Sequence, residues 1–275
     1  MNLGIAAVAA VLLGSLALGL MVYERTVPGR ADGAAAGLGT RDLFLPIVSL
    51  TTLLTAFMLV QGYSVYQGAQ VAAAEEARKL HDGAAVATYL TDDRGRQEVL
   101  GSAVCYARSV AHLEWTAGGG GETAAEVERW VDGIALDFRD DADARGVPSV
   151  IVGQMVALDA ARGDSRGQRL TEGHTAIPGY LWALLLLSTA TVLLGMGAFA
   201  LPSVPRGSTR IIMISLAALF IAALTVISEL DRPFTGLVQI QPTDMLRVAG
   251  SLERDYAADF PGAVLACDES GRPNP

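Results

Sequence analysis

Between Ile211 and Ser228 the chain carries no charged residue, and the run then closes abruptly on Glu229-Leu230-Asp231-Arg232-Pro233-Phe234-Thr235-Gly236. At about 1.5 Å per residue, a helix over that run nearly crosses a bilayer's hydrocarbon core of roughly 30 Å. The charges therefore arrive where hydrocarbon gives way to headgroups. Pro233 cannot continue a helix and disfavours helical backbone at Arg232, so the spacing predicts a helix end there. Phe234 is then expected as an interfacial aromatic, and Gly236 as the point where the backbone turns.

Three other runs have similar length and character, and only 18% of the 275 residues are charged. Met1–Tyr23, Leu43–Gly62, Ala176–Leu201 and Arg210–Ser228 each fit the length of a spanning helix. The expected fold class is an all-α integral membrane protein with four transmembrane helices, arranged two plus two. Residues 1–62 hold the first pair and residues 176–228 the second. Met1–Tyr23 reads as a retained helix, because a secretory signal wants a basic start and a shorter apolar stretch.

Charge distribution gives the orientation. The two short loops carry Arg25, Arg30, Arg41, Arg206 and Arg210 against Glu24, Asp32 and Asp42, a balance of +2. The opposite face then holds −11, and the two sum to the net charge of −9. Basic residues in short loops mark the cytoplasmic side, so the long segment 63–175 is expected outside the bacterial cytoplasmic membrane. Cys105 and Cys267 fall on that face. An oxidising compartment permits their pairing; two unrelated thiols are the simpler reading.

Residues 63–175 are rich in Ala and Glu and read as a helical extramembrane domain. The second span is expected to run on as a helix toward Leu90, since no Pro intervenes. Val99 to Ala111 repeats at helical spacing up to Trp115, Thr123 with Glu126 forms a capping box, and Pro148 opens a further helix. After the last span, residues 229–275 should form the Asp-Arg-Pro-Phe turn, a brief extended stretch at Gly236–Gln241, an amphipathic helix from Thr243, and a poorly ordered end from Pro261.

No Walker loop, nucleophile elbow or zinc-protease motif occurs, and His81, His112 and His174 lie far apart, so neither catalytic nor metal-binding residues are assigned and no cofactor is expected. Nucleic acid is not an expected partner; the lipid bilayer is. Arg162, Arg166 and Arg169 share one helix face. They form either an anion-attracting ring around an oligomer axis or a solvated, headgroup-contacting face. Ser49, Thr52 and Thr55 recur every third residue in the second span. Their hydroxyls either line a wet path or bond to the backbone. Glu229, Asp231 and Arg232 stand at the membrane edge. Glu229 is better placed than Asp231 to satisfy Arg232, which leaves Asp231 for an arginine of the bundle or for backbone amides.

The Asp231-Arg232-Pro233-Phe234-x-Gly236 ending resembles the hallmark of the bacterial bestrophin-like domain family. Tyr106-x-Arg108 followed by Glu114-Trp115 resembles another element of that family, as does Arg166 with Arg169-Leu170, then Pro178 and Trp182. The resemblance extends from the first span to about Arg247. It implies a four-span protein with a helical segment between spans two and three. By more distant similarity to true bestrophins, it implies a homo-oligomer, a pentamer in those channels, permeable to chloride or another anion. Two departures stand out. The aromatic neck has no clear counterpart, Phe57, Tyr63 and Tyr66 being loosely placed. The charge pattern also puts the bulk of the chain outside, whereas bestrophins keep it in the cytosol. The alternative expectation is a non-transporting scaffold or sensor whose acidic domain binds a partner.

Overall fold

The computed structural model describes residues 10, 12–15, 17–19, 21, 25, 40–115, 125–143, 148–173, 177–198 and 206–274. Helix α1 runs from Thr40 to Ala87 without interruption. Helix α2 covers Asp93–Ser109 and passes directly into a π-helical turn at Val110–Glu114. Then come α3 at Ala125–Asp143, α4 at Ser149–Glu172, α5 at Gly179–Ala198, α6 at Arg206–Leu230 and α7 at Thr243–Asp259. No strand occurs among the described residues.

The chain divides into two compact units. One comprises Met1–Ser64 with Ala176–Asp231, the other Val65–Thr175 with Arg232–Pro275. The first unit is the membrane part. Among the described residues, three helical stretches are long and apolar enough to cross a bilayer, beginning at Phe44, Gly179 and Ile211, and the protein is a multi-pass integral membrane protein. Most of the expected first span, Met1–Tyr23, lies outside the described residues, although Ala10 and Leu12–Ser15 are helical. Leu12, Met58, Leu185, Leu193, Met213, Leu224 and Ile227 form the apolar centre of this unit. Around that thin centre the surface is itself apolar. Leu45, Leu50, Leu53, Phe57 and Val60 of α1 and Leu187, Ile211 and Leu219 of α5 and α6 are exposed, as a lipid solvent allows.

The second unit is a helical bundle with its own core. Ala-rich α1 packs Ala69, Ala73, Ala77 and Leu80 inward, α2 contributes Val99, Leu100, Val104 and Tyr106, and the π-helical turn contributes Val110. Trp130 and Ile134 of α3, Met155 of α4, and Met245, Leu252 and Tyr256 of α7 complete it. Small side chains on α1 let its neighbours approach closely, and the large ones on α2 fill the space. Burying each of the larger aliphatic side chains stabilises the bundle by about 1.5–3 kcal/mol. The expected capping residue Thr123 lies outside the described residues; α3 is described from Ala125.

Two expectations for the C-terminal part are corrected. Gly236–Gln241 forms no strand: the backbone bends at Gly236–Val238, and Ile240 N–H donates to the Pro233 carbonyl at 2.8 Å. The tail from Pro261 is ordered through Asn274. Cys267 is disulfide-bonded to Cys105 of α2, with Cα atoms 5.7 Å apart, which also replaces the reading of two unrelated thiols. Trp130 Nε1 donates to the Gly271 carbonyl at 2.7 Å. The Asp268 carboxylate accepts from the backbone of Ser270 and of Arg272, each at 2.9 Å. Gly271 has φ 82°, and a Cβ there would collide with the Ser109 backbone. The order of this tail comes from contacts made across 141 to 162 residues of sequence, which local composition does not carry.

Candidate functional site

The densest polar cluster in the bundle is assembled by four helices. An Asp92 N-cap, whose carboxylate accepts from Gly95 N–H at 2.9 Å, starts α2. At its far end the π turn shifts the helical phase, with Trp115 N–H reaching the Val110 carbonyl at 3.0 Å. This turn aims Glu114 and Trp115 into the interior, where both are buried. Such π insertions are uncommon and gather at functional positions. From α1 comes Glu76, on the same buried stripe as Ala69, Ala73 and Leu80. From α4 come Arg162, Arg166 and Arg169, one helix face as the spacing predicts.

These groups form one continuous network. Arg169 Nε donates to Glu76 Oε2 at 2.6 Å, while its Nη2 donates to Glu114 Oε1. Arg166 Nη2 donates to Glu114 Oε2 at 2.7 Å and to Glu128 Oε1 of α3 at 2.9 Å. The Tyr106 hydroxyl donates to Glu76 Oε1 at 2.6 Å. Arg162 donates twice to Asp159 Oδ1, at 2.8 and 2.7 Å, and lies 4.3 Å from the Tyr106 ring centroid. Arg169 lies 5.1 Å from the ring of Trp115. Glu76, Glu114 and Arg169 are each 0% exposed.

The energetics follow from burial. An ionised side chain is costly to bury unless paired and hydrogen-bonded, and here each carboxylate oxygen of Glu76 and Glu114 accepts a hydrogen bond. Burial, reinforced by the Glu76 charge, holds the Tyr106 hydroxyl well above the usual tyrosine range, so it is a neutral donor. Burial pulls the Arg166 and Arg169 guanidiniums toward neutrality, but their carboxylate partners outweigh it and keep both protonated. The Arg162 Nη1 and Arg166 Nε atoms have no hydrogen-bond partner.

The solvated or headgroup-contacting face expected of Arg162, Arg166 and Arg169 is therefore corrected: at 2, 8 and 0% exposure they lie inside the bundle. Their guanidiniums are paired with the carboxylates of Asp159, Glu114, Glu128 and Glu76. Sequence reasoning missed Glu76, Glu128 and Asp159, of which Glu76 alone is fully buried. Its signal was a lone acid at i, i+7 and i+11 with Ala69 and Leu80, on a stripe otherwise made of Ala and Leu.

The Asp-Arg-Pro-Phe element serves both units separately. In the membrane unit, Asp231 is 4% exposed and its Oδ1 accepts from the Ile177 backbone N–H at 2.9 Å, just before α5. This is one of the two partners the sequence left open. In the bundle unit, Phe234 is buried edge-on against Trp115, with centroids 5.2 Å apart. That corrects the expected interfacial aromatic. Trp115 Nε1 donates to the Ile240 carbonyl at 2.8 Å, so the turn leans on the ring that also meets Arg169. Arg108 pairs with Glu253 at 2.8 Å and donates to the Asp268 carbonyl at 3.0 Å. Pro233 is buried, and Gly236 has φ 113°, a backbone region that favours glycine.

In α1, Ser49 and Thr52 are exposed and Thr55 is half-buried. The Thr52 and Thr55 hydroxyls donate to the carbonyls four residues back, at 2.9 and 2.8 Å.

A family model for the bestrophin-like domain matches residues 9–245. The chain belongs to the bestrophin-like domain family. No curated protein matches it. Among solved structures, it is similar to a single-substitution form of a bacterial bestrophin homolog from Klebsiella pneumoniae, with a TM-score of 0.68 at 12% identity, covering 92% of this chain and 99% of that one. A second substituted form of that homolog gives 0.67 at 13% identity, covering 92% and 98%. The structure obtained by zinc phasing gives 0.66 at 13%, covering 90% and 97%. At such identity the likeness establishes the bestrophin fold. Of the residues that carried the sequence resemblance, Glu114, Trp115, Arg166, Arg169 and Phe234 are buried in the bundle unit and Asp231 is buried in the membrane unit.

Proposed function

We propose that this bestrophin-like membrane protein is a four-span homo-oligomer, pentameric as in true bestrophins, whose α1 helices surround an axis permeable to chloride or another anion. The observation that carries the reading is the bestrophin-like domain over residues 9–245, joined to an α1 whose apolar stretch is only 11% buried within one chain. A long helix so little covered by its own chain suits contact with lipid on one side and with further copies on the other. The role is non-enzymatic. The disulfide between Cys105 and Cys267 supports placing the bundle outside the cytoplasmic membrane, because structural disulfides persist in oxidising compartments.

The test is a low-resolution map in detergent combined with anion flux from the same preparation in liposomes. Five copies with α1 at the axis, and flux above that of empty liposomes, are expected. A monomer, or an axis filled by side chains with no flux, overturns it. A second reading, a non-transporting scaffold or sensor, is favoured by the Thr52 and Thr55 hydroxyls, which are engaged with backbone carbonyls. It expects a silent preparation and specific capture of a partner that binds residues 64–175.

A further inference from the structure

Past the end of the last span the chain folds back on itself. After Leu230 it folds into a tight turn, with Thr235 N–H donating to the Arg232 carbonyl at 3.1 Å and Ile240 N–H to the Pro233 carbonyl at 2.8 Å. Phe234 and Ile240 face inward, tied to Trp115 by ring contact and by the Nε1 hydrogen bond. With its base held, the turn projects its tip outward. Leu237 is 85% exposed, the most exposed of the large apolar side chains described, and Val238 is 51% exposed. From Pro233 to Thr243 the sequence holds no charge.

We infer that Leu237 and Val238 form an interfacial anchor that inserts between lipid headgroups. Exposing two adjacent aliphatic side chains to water is unfavourable, by roughly 25 cal/mol for each Å² of apolar surface. A rigid loop that does so calls for an apolar covering. The covering proposed is lipid, on grounds of chain continuity. The tip follows the membrane span with six residues between Leu230 and Leu237. Even fully extended, that stretch reaches no more than about 25 Å from the end of α6, and its turns shorten the reach. The loop is also amphipathic in the way an interface favours. Gln239 and Gln241 line a cavity of about 240 Å³ with Tyr66 and Gln70, opposite in character to the aliphatic tip. Arg232 and Asp244 bracket the uncharged stretch, so no charge has to enter the acyl boundary.

The test uses full-length protein with its disulfide intact, carrying Leu237→Cys labelled with an environment-sensitive fluorophore, in vesicles of phosphatidylethanolamine and phosphatidylglycerol. Val238→Cys provides a second position should the first fail to assemble. Val264→Cys, on the exposed tail, is the aqueous control, since Val264 is 83% exposed. At the tip, nitroxide-bearing lipids are expected to quench emission several-fold more than aqueous iodide does, with a blue shift relative to the control. Quenching by iodide and not by lipid overturns the proposal in favour of a solvated loop. Protection from both quenchers overturns it in favour of a contact with a second copy.

Discussion

Arg169 and Glu76, 93 residues apart in the chain, meet with neither side chain exposed: Arg169 Nε lies 2.6 Å from Glu76 Oε2. Around this pair, Glu114, Arg166 and Tyr106 close a network that lets one bundle interior hold several charges. Three of the residues that carried the family resemblance, Glu114, Arg166 and Arg169, are members of this buried network.

Removing one member of the pair strands the other. Arg169→Ala or Glu76→Ala is expected to destabilise the protein by about 3–5 kcal/mol, the cost typical of an uncompensated buried charge. Replacing both with Met is expected to recover part of that loss. Thermal denaturation in detergent across the double-mutant cycle measures it, and additive losses would show the two are not coupled.

Tyr106 makes stability depend on alkaline pH. Its folded-state pKa is raised by burial and by Glu76, so its contribution is complete below about pH 10, the unperturbed tyrosine value, and is lost as pH rises from there toward the folded value. Tyr106→Phe removes this slope and the hydrogen bond to Glu76, at a cost of about 1–3 kcal/mol from the acceptor left short of a donor. Unfolding midpoints at pH 8 and above pH 10 should converge for wild type and variant. A constant gap between them would contradict the assignment.

The Cys105–Cys267 bond closes a loop of 162 residues, worth about 4–5 kcal/mol in the chain-entropy picture. Cys105→Ser is expected to lower the denaturation midpoint and to release the tail, read as faster proteolysis after Pro261. In whole cells, thiols at both positions should resist labelling until a membrane-impermeant reductant is added. Labelling without reductant would place the bundle on the reducing side.

Asp231 fastens the start of α5 through Ile177 N–H. Asp231→Asn or Arg232→Ala is expected to lower assembly and stability before it alters any activity, with Asp231→Asn losing about 1–3 kcal/mol. Size-exclusion profiles and melting curves decide the matter; normal assembly with selective loss of activity would make Asp231 part of the functional path.

The fold was legible where one helix carries its own signal. Three apolar runs, the helix end at Leu230 before Pro233, and the shared face of Arg162, Arg166 and Arg169 all follow from spacing within single segments. Contacts between segments were not legible. Whether an arginine face meets water or carboxylates depends on Glu76 and Glu114, which lie in other helices. Phe234 reads as an interfacial aromatic until Trp115 is placed beside it. The tail after Pro261 has one short apolar run, Ala263–Cys267, with no helical or strand period, and it is held by contacts with Cys105, Trp130 and Ser109.

Channel function is tested most directly by the reversal potential of the purified, disulfide-intact oligomer in a planar bilayer under a potassium chloride gradient. Anion permeation predicts a reversal potential near the chloride equilibrium value. A reversal near the potassium value, or no current from a preparation of confirmed assembly, would contradict it.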